Sequence, residues 1–337
     1  MTLSRRAVLG TLVVTGLGAG GAGHGLARTA SYPAPTREAM LTVPGGRVYV
    51  RVNGDLKGSR PPLVIVHGGP GGTHNSYLPA LALADTRAVI LYDQLDSGRS
   101  DWPQDPANWT VTRFVDELEA VRIGLGVRRW HVCGHSWGGT IALEYGARHM
   151  RAAADPLAGL VLASPLISTR RWIADADALR ATLPPATRGV LAACETSAPP
   201  ASAACDAATA QFYARFNRRE AASPAMAAGA RERPGRGFDA RLYATMWGRS
   251  EFSATGSLRE YDGEPLLGRL DGARTLFLVG QYDEARPATA ALFAERVPGA
   301  DYGVVPGAAH SLFADRPAET LAMLRGFLAR HDPAATR

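Results

Sequence analysis

The sequence predicts an α/β fold, a mostly parallel sheet flanked by helices and interrupted by an inserted, mainly helical cap. Three observations carry this prediction. Short apolar, β-branched runs alternate with longer segments whose apolar residues recur every three or four positions; the rhythm stops at Pro165; and it resumes beyond about Pro265 with Leu276-Phe277-Leu278-Val279-Gly280. A chain of 337 residues that is 46% hydrophobic and 20% charged can build a sizeable core, which excludes a disordered chain.

The first thirty residues read as an address label. Ser4-Arg5-Arg6-Ala7-Val8-Leu9-Gly10 has the pattern of a twin-arginine signal, followed by a Gly-rich, weakly apolar stretch that ends near Gly25-Leu26-Ala27. The expected partner is the twin-arginine export machinery and the expected location periplasmic or secreted. Glycine lowers the hydrophobicity of a run that barely reaches spanning length, so no stable membrane anchor is expected. No cysteine follows it, which excludes a lipoprotein anchor. The formal charge of +6 comes from 37 Lys+Arg against 31 Asp+Glu; without Arg5, Arg6 and Arg28 the count is 34 against 31, or +3. Lys57 is the only lysine, and the arginines form no stripe that would track a phosphate backbone, so nucleic acid is excluded as a partner.

The first part of the core spans residues 31–164, with strands expected at 47–52, 63–67, 88–93, 130–134 and 160–163 and helices at 111–125 and 140–149. The cap spans 165–265; it is Ala/Arg-rich and broken by Pro184-Pro185, Pro199-Pro200 and Pro234-Gly235. The second part of the core, 266–337, holds strands at 275–279 and 302–305 and helices at 287–297 and 317–330. Cys133 lies in an apolar run and reads as a buried thiol. Cys194 and Cys205 flank a Pro/Ala/Ser loop and can pair in an oxidising compartment; from sequence their pairing is open.

Gly134-His135-Ser136-Trp137-Gly138-Gly139 is a G-x-S-x-G between a strand and a helix, the context of a nucleophile elbow, and makes Ser136 the expected nucleophile. A serine hydroxyl needs a base, and the base an acid partner. In an α/β-hydrolase the order is serine, acid, histidine. Asp283 and His310 follow the strands at 275–279 and 302–305 in that order, with Glu284 the alternative acid. His149 on a helix and His331 in the tail read as solvated. The oxyanion needs backbone donors: the Trp137 amide and, from His67-Gly68-Gly69-Pro70-Gly71-Gly72, the Gly69 amide. The 67–72 loop carries neither phosphate-binding glycine signature, no His/Cys/acid cluster has ligand spacing, and the triad needs no cofactor, so neither metal nor organic cofactor is expected.

Together with Asp93-Gln94, Gly98-Arg99-Ser100 and Gly280-Gln281-Tyr282-Asp283-Glu284, these motifs resemble the proline iminopeptidases (prolyl aminopeptidases) among the serine α/β-hydrolases, from about Val43 to the end. The resemblance implies a serine aminopeptidase that removes an N-terminal residue, with proline expected, from a short peptide or amino-acid amide through an acyl-enzyme. It also implies that Glu251, in Met246-Trp247-Gly248-Arg249-Ser250-Glu251-Phe252, binds the substrate's α-amino group. Glu220 lies near the family's second acidic anchor, in surroundings that depart from the family's pattern. Asp93 and Arg99 are expected to organise the adjoining loop. Trp172, Phe212, Tyr213, Phe216, Tyr243 and Trp247 either line a pocket or pack in the core. The alternative function is an esterase, amidase or lactonase with no free-amine requirement. An epoxide or haloalkane hydrolase would carry an aspartate where this chain has Ser136.

Overall fold

The computed structural model describes residues 32–196, 201–232 and 234–332; the expected export signal lies outside them. Eight strands form one sheet in the order β1 (Arg37–Val43), β2 (Gly46–Asn53), β4 (Val89–Tyr92), β3 (Leu63–Val66), β5 (Trp130–His135), β6 (Leu157–Ala163), β9 (Thr275–Gly280) and β10 (Asp301–Val305). β1 and β2 are antiparallel additions at one edge, and the six strands from β4 to β10 run parallel. The parallel strands are continuous apolar runs because both faces are covered. In β3, Val64 and Val66 face one core cluster, with Phe114, Leu118 and Ile141, while Leu63 and Ile65 face the other, with Leu78, Leu324 and Phe327.

Helices α1 (Val111–Leu125) and α2 (Trp137–His149) cover the first face, and α10 (Pro317–Arg330) covers the second. α1 begins where the Thr110 hydroxyl accepts from the Arg113 N–H and ends at Gly126, in a left-handed conformation that glycine adopts at little cost. α8 (Pro287–Glu295) and the short α9 (Leu312–Asp315) complete the core.

Between β6 and β9 lie α3 (Thr169–Arg180), α4 (Pro185–Cys194), α5 (Ser202–Phe216), α6 (Pro224–Glu232), α7 (Ala240–Met246) and the small hairpin β7 (Gly248–Ser250) and β8 (Ser253–Ala254). This region has its own apolar cluster of Ala176, Leu183, Leu191, Ala208, Phe212 and Phe252. A disulfide joins Cys194 and Cys205, which ties the end of α4 to the first turn of α5. Cys133 is a free, buried thiol. Two histidines differ from expectation: His149 is half-buried with its ring 4.4 Å from that of Tyr145, and His331 packs 4.7 Å from the Phe327 ring. No described helix is long and apolar enough to cross a membrane.

Candidate active site

β3, β5, β9 and β10 are parallel, so the loops at their carboxyl ends meet on one edge of the sheet. The elbow lies between β5 and α2. Ser136 sits at φ 58° and ψ −123°, a strained backbone that lifts its side chain out of the turn. The flanking glycines are required by space, since a Cβ at Gly134 would overlap the Gly138 carbonyl and one at Gly138 would overlap the Val66 carbonyl.

The loops after β9 and β10 bring the acid and the histidine together. His310 Nδ1 lies 2.8 Å from Asp283 Oδ1. The second oxygen of Asp283 accepts from the Ser164 hydroxyl and, at 3.0 Å, from the Gly280 N–H, and Oδ1 also accepts from the Ala285 N–H at 2.9 Å. Burial opposes ionisation of Asp283, but His310 and these donors hold its carboxyl below the ordinary value. Burial likewise opposes protonation of His310, yet Asp283, Glu284 and Glu251 together raise it to about 9. Ser136 and His310 line one cavity of about 610 Å³, together with Gly68, Gly69, Tyr213, Tyr243 and Glu251.

Gly69 lies at φ 123° ahead of Pro70, and no described residue accepts from its N–H. The Trp137 amide occupies the first position of α2, where an N–H has no partner within the helix. Both amides are available to an oxyanion. Asp93 Oδ1 accepts from both the backbone and the ring of His74, each at 2.8 Å, and Oδ2 accepts from the Arg99 N–H at 2.9 Å. The arginine side chain pairs with Glu38 at 2.9 Å. These two residues therefore hold a loop and do not enter the cavity.

Comparison with known proteins places the chain. Residues 61–317 match the family model of the alpha/beta hydrolase fold. A proline iminopeptidase of Heyndrickxia coagulans is 33% identical over 291 residues, covering 86% of this chain and 98% of that protein. The chain belongs to the proline iminopeptidase family of α/β-hydrolases. Among solved structures, the proline iminopeptidase of Mycobacterium smegmatis superposes with a TM-score of 0.76 at 32% identity, covering 89% of this chain and 100% of its own. VinJ superposes with a TM-score of 0.77 at 31% identity, covering 88% of this chain and 99% of its own. As a family member, the protein is a hydrolase.

In this proline iminopeptidase relative, Glu251 stands at the tip of the β7–β8 hairpin, half-buried in the cavity wall. Its neighbour Phe252 anchors the tip in the cap cluster. Tyr243 donates to Glu251 Oε1 at 2.9 Å, the Glu251 N–H donates to the Tyr213 hydroxyl at 3.3 Å, and the Trp172 indole donates to the Glu251 carbonyl at 2.8 Å. Burial raises its carboxyl above the ordinary value, opposed by His310 and Tyr243.

Glu220 does not join the site. Its exposed side chain pairs with Arg316 at 3.1 Å, because the chain after α5 turns away from the cavity to let the Arg219 and Glu220 amides bond the Asp315 carboxylate, each at 3.0 Å. Glu284 is the second acidic group near the site. It is buried, Asn217 donates to its Oε1 at 2.6 Å, and that oxygen lies 3.8 Å from His310 Nε2. Its Oε2 has no described hydrogen-bond partner. Burial and the neighbouring Glu251 charge raise Glu284 well above the ordinary value. The signal that could have found it is its place directly after Asp283, weighed from sequence only as a rival acid. Of the six candidate aromatics, Tyr213 and Tyr243 line the cavity, while Phe212, Trp172 and Trp247 are core and Phe216 packs on the cap cluster.

Proposed function

We propose that the protein is a serine aminopeptidase that releases an N-terminal residue, with proline the expected one, from short peptides or amino-acid amides. One observation carries this reading above an ester or lactone hydrolase: two carboxyls, Glu251 in the cavity wall and the buried Glu284, are close enough that the Glu251 charge raises Glu284's affinity for protons, and one Glu284 oxygen lacks a described donor. An N-terminal ammonium supplies both the positive charge and the N–H donors this pair lacks. A neutral acyl ester supplies neither.

In the proposed reaction Ser136 Oγ attacks the acyl carbon of the first residue while His310 Nε2 takes its proton. The oxyanion is received by the Gly69 and Trp137 amides, and Asp283 steadies the imidazolium through Nδ1. The C–N bond breaks, His310 returns the proton to the leaving amine, and the first residue remains as an ester on Ser136. Water then attacks that ester with His310 again as base, which frees the residue and restores the hydroxyl. Ser136→Ala should lower turnover of a prolyl arylamide by several orders of magnitude and abolish labelling by an active-site serine reagent. Near-normal turnover would assign the nucleophile elsewhere.

We also propose that the enzyme works outside the cytoplasm, delivered by the twin-arginine machinery. The pattern around Arg5 and Arg6 and the Cys194–Cys205 disulfide both suit an oxidising compartment. A protein from the native host that retains its first thirty residues and stays in the cytoplasm would contradict this.

A further inference from the structure

We infer that Gln94 is a positioning residue that sets the separation of the two oxyanion-binding amides, reaching the Gly69 loop through His67 and the nucleophile elbow through the Trp137 indole. The inference rests on the reading of Ser136 as nucleophile. The Gly69 and Trp137 amides belong to different loops, after β3 and after β5, and the strand pairing that aligns these loops ends at Val66 and Gly134. Beyond that pair something else must hold them.

Gln94 follows β4 and is 1% exposed. Its side-chain nitrogen donates to the His67 carbonyl at 2.8 Å, and its side-chain oxygen accepts from the Trp137 indole at 2.9 Å. Both polar ends of one short side chain are thus spent on the two segments that carry the amides. The backbone N–H of Gln94 donates to His67 Nε2 at 2.9 Å. With Nε2 accepting, the ring proton lies on Nδ1, 2.8 Å from the Gly68 carbonyl, to which it donates. Gly72 donates to the same carbonyl at 3.2 Å.

In a trans peptide the C=O and the following N–H point in opposite directions. Pinning the Gly68 carbonyl on the His67 side therefore turns the Gly69 N–H the other way. The preceding amide is no competitor, since Gly68 N–H donates to the Tyr77 hydroxyl at 3.0 Å. Burial lowers His67 to about 4, so the neutral tautomer that makes this contact persists through neutral pH. A buried glutamine side chain that served packing alone would have no reason to bond these two segments and no others.

The test compares Gln94→Leu, Trp137→Phe and the double variant with wild type. Trp137→Phe removes the indole donor and leaves the main-chain amide in place. Each single variant should lower kcat on a prolyl arylamide by ~10–100-fold, the scale of a misplaced catalytic contact, with KM nearly unchanged. Binding of prolinal, whose hemiacetal with Ser136 carries the oxyanion, should weaken by the same factor, while binding of free proline should not change. The double variant should lose no more than the worse single one, because both act through one hydrogen bond. Folded variants with wild-type kcat, a loss confined to KM, or multiplying losses would overturn the inference. If Gln94→Leu does not fold, Trp137→Phe decides alone through the kcat and prolinal measurements. Ser136→Ala is the separate control: full activity there removes the underlying reading, whereas an inactive Ser136→Ala beside unaffected Gln94 and Trp137 variants removes only this one.

Discussion

His310 holds its proton to about 9 because three carboxyls face it: Asp283 by a direct hydrogen bond, with Glu284 and Glu251 beyond. A general base must be neutral, so kcat/KM should rise with pH through the value of the free enzyme. Replacing a nearby negative charge makes the imidazolium easier to deprotonate. Glu284→Gln removes a carboxyl that raises His310 and should therefore move the acid limb of kcat/KM down, read from a pH profile on a prolyl arylamide. An unmoved limb, or one displaced upward, would show that Glu284 does not act on His310. The same linkage has a stability consequence with a fixed sign. The His310 contribution is fully present below its unfolded value near 6.5 and is lost as pH rises through about 9. Ser136, Asp283 and His310 were legible in the sequence because each follows a recognisable strand at a short, fixed distance. Glu284 and Glu220 were not, because which carboxyl meets Glu251 depends on how the chain turns after α5.

The end of α5 and the segment after it bind the cap to the loops after β9 and β10. The Phe216 carbonyl accepts from the Glu284 and His310 amides, each at 3.1 Å, and the Asn217 carbonyl accepts from Ser311 at 2.7 Å. Asp315 completes the joint: one oxygen accepts from Arg219 and Glu220, the other from Ala309 at 2.9 Å, directly before His310. The cap is thus part of the scaffold that places the histidine. Asp315→Ala leaves three backbone donors without their charged acceptor, and should cost ~2–3 kcal/mol of stability in chemical denaturation, with a fall in kcat. Unchanged stability and kcat would mean that the joint is held elsewhere. The helical character of the cap was legible from its composition and proline breaks. Its contacts with the core were not, because apart from the Asp315 carboxylate they are backbone bonds, with partners up to 96 residues apart. β1 escaped sequence reasoning for a different reason: Arg37–Val43 is an edge strand, largely exposed, without the apolar run that marks the buried ones.

At the scale of the whole molecule, a parallel sheet gathers four strand ends at one edge, and the inserted region supplies the wall in which Glu251 sits. The core was legible because parallel strands must be apolar on both faces and helices on one stripe. The proposed division of labour, with chemistry on the sheet and recognition on the cap, needed the three-dimensional arrangement. It implies that chemistry and amine recognition can be separated by mutation. The direct test is kcat/KM for a prolyl arylamide and for its N-acetyl derivative, in wild type and in Glu251→Gln. The account predicts a strong wild-type preference for the free amine that largely collapses in the variant, through loss on the amine substrate alone. Equal wild-type turnover of the two substrates, or equal losses on both in Glu251→Gln, would contradict it.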